Sequence, residues 1–206
     1  MDSTNKYAAV RLAEGELRHG AVILAHAQEA GVGQRGRVWH SGAGLDIALS
    51  VVLLPKALPV AMHFAVSKMA ALAVHDVVAG TLALAGLPAD GVRIKWPNDI
   101  LIGRRKVSGI LISNDVAGAQ VQACIVGIGL NVNSSELDVA FNATSLRIAT
   151  GREHDRMALV ERLCQRIEAH WDRLMADVHA LDADYSARLW MRGRFADLEL
   201  DGAPFQ

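Results

Sequence analysis

Residues 92–132 read VRIKWPNDILIGRRKVSGILISNDVAGAQVQACIVGIGLNV. Residues 92–95 form a strand closed by Trp96-Pro97. Residues 99–102 and 106–113 flank Gly103-Arg104-Arg105, the signature of a tight hairpin. Residues 120–132 form a further long strand with Gly127 and Gly129 inside it. Glycines weaken a strand unless something must approach its backbone closely. Strands follow strands here with no helix between them. This predicts an α+β fold with a mixed, largely antiparallel sheet flanked by helices, and argues against a doubly wound parallel sheet.

Working outward, Asp2-Ser3-Thr4-Asn5 offers N-cap candidates for a helix running to about Arg18. Residues 21–27 are an apolar run of strand length. Residues 28–44 are polar and glycine-rich without a period, hence a loop. A strand at 45–54 runs to Pro55, and Pro55 and Pro59 bracket the entry to a helix at 60–84, with Gly86 as its stop. From 155 to 178 the period is 3.6, with Leu159, Leu163, Ile167, Trp171 and Leu174 on one face. A short helix follows at 182–191. The tail at 195–202 reads as an opening strand and turn.

The 206 residues are 51% hydrophobic with a formal net charge of −1, a composition of one compact domain and not of a disordered tail, a collagen or a coiled coil. The neutral balance argues against bulk nucleic-acid binding. Two cysteines, Cys124 and Cys164, make no disulfide framework and fit a reduced, cytoplasmic compartment. The apolar stretch from Val60 to Leu87 is broken by His63, Lys68, His75 and Asp76, so it reads as a core helix and not a membrane span. No secretory signal pattern opens the chain. Eight histidines lack HxH or HExxH spacing, which leaves metal and Ser/His chemistry weakly supported.

Four segments can carry chemistry. Gly31-Val32-Gly33-Gln34-Arg35-Gly36-Arg37-Val38-Trp39 matches GxGxxG formally, but no helix opens on it, so the dinucleotide reading fails on context. A loop whose backbone N–H groups and arginines wrap an anion fits better, against a plain solvated loop. Between Arg93 and Lys106 stand five basic residues and one acidic one. A hairpin that brings Lys95 and Lys106 together makes a positive pocket for a phosphate, with Asp99 as a carboxylate for Mg²⁺; the alternative is a basic, solvated sheet edge. Gly127 and Gly129 leave one strand face bare for a flat ligand, with Asn131 able to meet a base edge, or else they accommodate a packed helix. Ser3, Thr4 and Asn5 with Gln28 are either a helix cap or the polar end of a small-ring site.

Together, in their order and spacing, these pieces resemble the catalytic domain of biotin–protein ligases. The resemblance rests on Ser3-Thr4-Asn5, on Gln28 with residues 31–39, on Lys95-Trp96-Pro97-Asn98-Asp99, on Lys106 and Gly109, on Gly127-Ile128-Gly129-Leu130-Asn131, and on Ala143-Thr144-Ser145-Leu146. It implies a biotin/lipoate ligase-like domain over residues 1–192, with 193–206 the start of a truncated C-terminal β domain. It implies ATP and Mg²⁺ as co-substrate and metal, biotin as substrate, and a biotin carboxyl carrier domain of a carboxylase as partner. The reaction implied forms biotinyl-5′-AMP and then biotinylates a carrier lysine. By position, Ser3, Thr4, Asn5, Gln28, Gly109 and Gly129 would bind biotin. Lys106 and Lys95 would be catalytic, and Asp99 would serve the metal. Gly31, Val32, Gly33, Gln34, Arg35, Gly36, Arg37 and Trp39 would form the loop that closes over the adenylate, with Asn131 reading adenine.

Some residues depart from the family pattern. The family loop carries arginine where this chain has Val32 and Gln34, which implies weaker adenylate retention. Asp46 stands where an asparagine is usual, which is expected to put a negative charge near the phosphates. A motif starting at residue 2 leaves no room for an N-terminal DNA-binding helix-turn-helix, so no nucleic-acid partner is expected; no membrane is expected from the broken apolar stretch, and a homodimer is compatible with the pattern. The rival readings are a lipoate or octanoate ligase of the same fold and a weakened, non-catalytic ligand-binding relative.

Overall fold

The computed structural model describes residues 1–137, 142–193, 198–200 and 203–205. Its centre is a six-stranded sheet of β1 (Val22–Ala25), β2 (Ile47–Leu53), β3 (Val92–Lys95), β4 (Asp99–Ile102), β5 (Arg105–Ala117) and β6 (Gln120–Leu130). The spatial order is β1-β2-β6-β5-β4-β3, and each neighbouring pair is antiparallel. Among the described residues, parallel contacts are confined to isolated bridges from Ile94 to Leu189 and from Lys106 to Ala143. The α+β architecture expected from residues 92–132 is therefore present, with the sheet antiparallel throughout.

Helix α1 (Thr4–Ala13) packs on β2 and β6. The long helix α2 (Phe64–Leu84) packs against α4 (Arg156–Ala176) and meets β3, β4 and β5. The two long helices bury different patterns. In α2 the alanines and valines are buried most of the way round, as expected of a helix enclosed in a core. This is the stretch, Val60–Leu84, that is long and apolar enough to cross a membrane; most of its apolar window is buried within the protein. In α4 the stripe Leu159, Leu163, Ile167, Trp171 and Leu174 is buried and the opposite face is polar. Its start is capped by Asp155, whose carboxylate accepts from the amides of Met157 and Ala158.

Three departures from the sequence reading have a clear local reason. Helix α1 stops at Ala13 and not near Arg18, because Gly15 takes a φ of +76° and closes a Schellman turn. The Gly15 N–H reaches Leu12 O and the Glu16 N–H reaches Arg11 O. Helix α5 (Asp182–Ala187) ends before Met191, because residues 188–190 turn to line the edge of β3; Ile94 N–H donates to Arg188 O and Trp190 N–H to Ile94 O. A short α3 (Leu146–Thr150) was not expected, although Ser145 caps it and Gly151, at φ +74°, ends it. The expected tail strand at 195–202 lies partly outside the described residues; within them β7 (Leu198–Leu200) pairs antiparallel with β8 (Ala203–Phe205).

Candidate functional site

The sheet register assembles the site. Ala48 lies opposite Gly129, Gly129 opposite Gly109, Gly109 opposite Asp99, and Asp99 opposite Lys95. Residues paired across strands share a face. One row therefore runs from three small residues to a carboxylate and an ammonium. The adjacent row on that face is Ser50, Gly127 and Leu111. Lys106 joins the face through a β-bulge. Ile100 pairs with Ser108 but Leu101 pairs with Lys106, so Val107 is skipped. Simple alternation would point Lys106 and Gly109 to opposite faces; the bulge re-aims Lys106. A Cβ on Gly109 would lie 3.0 Å from Lys106 Nζ. The lysine's backbone is also held, with its N–H on Asn142 O and its carbonyl on Thr144 N–H.

Above this face is a cavity of about 1050 Å³. It gathers Ser3, Thr4, Asn5, Gln28, Lys95, Asp99, Lys106, Gly109, Gly129 and Asn131, together with Val32, Gly33, Gln34, Arg37 and Trp39. Gly31 and Gly36 do not line it. They shape the loop instead: a Cβ on Gly31 would sit 2.3 Å from Trp39 O, and Gly36 has a φ of +75°. The Arg35 side chain lies outside the described residues.

The loop is itself a small hairpin. Val32 bridges Val38, Gly33 N–H donates to Arg37 O at 2.7 Å, Trp39 N–H donates to Gly31 O at 2.9 Å, and Gln34–Gly36 forms a 3-10 turn at the tip. Trp39 then lies flat over the glycine row. A Cβ on Gly129 would come within 2.2 Å of its indole, and one on Gly109 within 3.1 Å. The indole Nε1 is buried with no hydrogen-bond partner, and a buried donor of this kind is costly until an acceptor reaches it. Lys106 Nζ stands 5.5 Å from the indole centroid and 2.7 Å from the Asp99 carboxylate.

At the other end the site is neutral and hydrogen-bonded. Ser3 occupies the N-cap position of α1 but makes no capping bond with its side chain. The Thr4 N–H is satisfied instead by Gln28 Oε1 at 2.8 Å, from 24 residues away. The helix-cap reading of residues 2–5 thus gives way to a tie between α1 and the loop after β1. Asn5 Nδ2 donates to Leu111 O at 3.1 Å. Its side chain fills the place a Cβ on Gly127 would take, 2.3 Å from Asn5 Oδ1, which explains that glycine.

Asp46 and Ser50 carry more than the sequence indicated. Asp46 is buried, and both its oxygens are occupied. Oδ1 accepts from Val132 N at 2.8 Å and Ser134 N at 3.3 Å; Oδ2 accepts from Gly42 N at 2.9 Å and Ser134 Oγ at 2.5 Å. The carboxylate expected to put a negative charge near the phosphates does line the cavity, and its hydrogen bonds tie two cavity-lining loops together. Ser50 is fully buried under α1, and its only sequence signal is a polar residue inside an apolar strand. Asn98 secures the turn before Asp99, its Nδ2 bonding Ile110 O while Ile110 N–H bonds Asn98 O at 3.1 Å. Asn131 is buried with Nδ2 on Thr144 O at 3.0 Å, which leaves Oδ1 as the acceptor it can present to the cavity.

An antiparallel α+β domain whose glycine-floored cavity is neutral and hydrogen-bonding at one end and lined by lysines at the other is suited to a small molecule with an anionic end. The chain belongs to the Biotin/lipoate A/B protein ligase family, whose model matches residues 1–131. It is 36% identical over 200 residues to the biotin–[acetyl-CoA-carboxylase] ligase of Mycobacterium tuberculosis, covering 97% of this chain and 72% of that one. With the ligase of the same name from Paracoccus denitrificans it shares 46% identity over 133 residues, 64% of this chain and 51% of the other. With the bifunctional ligase/repressor BirA of Bacillus spizizenii it shares 37% over 165 residues, covering 78% of this chain. The chain spans about half the length of the Bacillus relatives, 49% in each. Among solved structures it resembles the biotin protein ligase of Aquifex aeolicus in complex with biotin and ATP, at TM-score 0.75 and 26% identity over 92% of this chain and 75% of that one. The Leishmania major biotin protein ligase shares the fold at TM-score 0.76 and 21% identity, covering 98% of this chain and 84% of its own.

Proposed function

We propose that this chain is a biotin–protein ligase domain, joining biotin to ATP and then to a carrier lysine. The observation that carries this reading is the row from Gly129 and Gly109 to Asp99 and Lys95, with Lys106 re-aimed onto it. A flat bicyclic ring fits the glycine face, which the Trp39 indole covers here and must vacate to admit it. Its polar head meets Thr4 and Gln28, and its carboxylate meets Lys106. In the first step a carboxylate oxygen attacks the α-phosphorus of ATP and pyrophosphate leaves. In the second, the carrier lysine's amine attacks the acyl carbon, AMP leaves and the nitrogen loses a proton. Lys106 and Lys95 screen the two anions that must meet, an effect that is strongest where water is excluded. The loop at 31–39 covers the adenylate, and Asn131 Oδ1 accepts from the adenine amine.

Mg²⁺ fits this arrangement as a companion of the ATP phosphates and not as a resident ion. Asp99 supplies one carboxylate, and Mg²⁺ completes its shell with phosphate oxygens and water; among the described residues there is no cluster of three His, Cys, Asp or Glu side chains able to hold a metal. When bound it would neutralise phosphate charge. The names of the relatives support the carboxyl carrier domain of a carboxylase as the acceptor. The polar end at Thr4 and Gln28 favours a cyclic urea over the long apolar chain of a lipoyl group. A reducing cytoplasm suits the two free cysteines, and burial pushes the Cys124 thiol up to about 11. A homodimer would use the outer edge of β1, since residues 188–190 already cover β3. Incubation with ATP, Mg²⁺, labelled biotin and an apo-carrier domain tests the function. Label on the carrier lysine is expected, and its absence with a folded protein refutes the proposal.

A further inference from the structure

We propose that Ser50 is a positioning residue that sets the direction of hydrogen bonding at the polar end of the cavity, so that Thr4 meets the ligand as an acceptor. The inference rests on the biotin reading for the identity of the ligand, but the relay itself is a matter of counting protons.

The count begins at a fixed point. Leu111 O can only accept, so the end of the Asn5 amide that faces it, at 3.1 Å, is Nδ2. Asn5 Oδ1 is thereby turned to Ser50 Oγ, 2.5 Å away. An amide oxygen only accepts, so the Ser50 proton goes to Asn5. Ser50 Oγ is also 2.7 Å from Thr4 Oγ1. Two hydroxyls at that separation need one proton between them, and Ser50 has given up its own. The proton is therefore Thr4's, donated to Ser50. The longer 3.3 Å approach of Thr4 Oγ1 to Gln28 Oε1 is then a secondary contact, because that oxygen already accepts the Thr4 N–H at 2.8 Å. Thr4, which lines the cavity, then has no hydroxyl proton to offer a ligand and can meet it only as an acceptor.

Ser50 is fully buried and lies outside the cavity lining. It touches no ligand, yet through it the Leu111 carbonyl dictates what Thr4 can recognise. A ligand must present a donor there, as the ring N–H of a cyclic urea does. A ring oxygen in the same place faces an acceptor that cannot rotate to meet it. A site built around one hydrogen-bond polarity rejects the opposite polarity far more strongly than a wrong size.

The test compares biotin with its cyclic carbamate analogue, in which one ureido N–H is replaced by oxygen, in biotin-dependent pyrophosphate release. The wild-type protein is expected to prefer biotin by about 100-fold or more in kcat/KM. Ser50→Ala frees the Thr4 proton; the preference should fall about tenfold and the biotin KM rise by a similar factor, with the ATP KM unchanged. Ser50→Thr, which keeps the hydroxyl, should restore the preference. A wild-type protein that accepts both compounds equally, or Ser50→Ala with unaltered preference and biotin KM, overturns the proposal. Failure of the biotin reading looks different, since the wild-type protein would then turn over ATP with neither compound. In that case, or if Ser50→Ala supports no turnover, the relay is read in ligand-free protein as slowed exchange of the Asn5 Nδ2 protons. Slow exchange in the wild type that is lost in Ser50→Ala and kept in Ser50→Thr supports it; fast exchange in the wild type, or slow exchange that persists in Ser50→Ala, overturns it.

Discussion

Lys106 Nζ sits 2.7 Å from the Asp99 carboxylate, so the cation proposed to receive two anions is held in place by a third. The bulge that skips Val107 makes this pairing, and Asn98 fixes the turn that presents Asp99. An ion pair with both side chains about a third exposed or less adds little stability of its own. Its value lies in orientation. Lys106→Ala should lower biotin-dependent pyrophosphate release by about 10²–10³-fold, the usual loss when one charge-stabilising donor is removed. Asp99→Asn should cost less, because the ammonium remains. Single-turnover assays with labelled ATP distinguish the two, and a wild-type rate in Lys106→Ala would remove the lysine from the chemistry.

Gly129 allows no side chain. A methyl there would meet the Trp39 indole at 2.2 Å, and the indole can yield only by leaving the glycine floor. Gly129→Ala is expected to weaken biotin binding at least tenfold, with overpacking of about 1–3 kcal/mol shared between stability and affinity. Gly127→Ala presses on Asn5 instead and should act through the polar end. Calorimetric titration with biotin measures both; undiminished affinity in Gly129→Ala would show that the ligand does not use this face.

What could be read from residues alone follows from how local each cause is. The stripe on α4 and the Gly103 turn, at φ +62°, are short-range patterns, and both formed where expected. Much of the cavity lining was also legible, because Gly109, Gly129, Lys95 and Lys106 sit at fixed spacings within one hairpin and its neighbour. Long-range ties were not. Gln28 replaces Ser3 as the partner at the start of α1, and residues 188–190 leave their helix to cover β3, since each satisfies a backbone group brought close only by folding. Ser50 offered nothing but its polarity. The end of α1 was readable in principle from Gly15, whose left-handed turn outweighs the helical character of the residues beyond it.

The loop at 31–39 offers a gain-of-function test. Val32 and Gln34 both line the cavity, at the two positions where the family loop carries arginine. A charge-assisted hydrogen bond contributes roughly 1.5–3 kcal/mol. Wild-type protein should release adenylate into solution during turnover, and Val32→Arg with Gln34→Arg should slow that release about tenfold or more for the first arginine that engages. Adenylate leakage is followed by filtration and chromatography. Tight retention by the wild type would show that Arg37 and the loop backbone suffice.

Far from the cavity, Asp76 on α2 is held between two imidazoles, with His170 Nε2 at 2.9 Å and His75 Nδ1 at 3.4 Å. Burial works against its charge, but the hydrogen bonds from His170 and His75 win, holding the carboxyl well below its ordinary 3.8. A carboxyl depressed by folding adds stability that is complete above the unfolded pKa and lost as pH falls from about 4 toward the folded value. Asp76→Asn should lower stability at pH 7 by roughly 1–3 kcal/mol and flatten its loss below pH 4. Denaturant melts at pH 7 and pH 3 measure this. Equal destabilisation at both pH values would assign the effect to packing.

Asp46 separates two physical accounts with one substitution. If its carboxylate repelled the ATP phosphates, Asp46→Asn would lower the ATP KM. The geometry predicts the reverse. Its two oxygens hold Gly42 on one side and Val132 and Ser134 on the other, and Arg156 Nη1 donates to its backbone oxygen at 3.1 Å. An asparagine keeps one such oxygen. The Ser134 hydroxyl can turn to accept from the new amide, but the Gly42 N–H cannot turn and loses its acceptor, at about 1–3 kcal/mol. The loop ending at Asp46 then loosens against the segment that carries Asn131. Asp46→Asn should therefore raise the ATP KM, leave the biotin KM nearly unchanged and lower the Tm, while a fall in the ATP KM would restore the repulsion account.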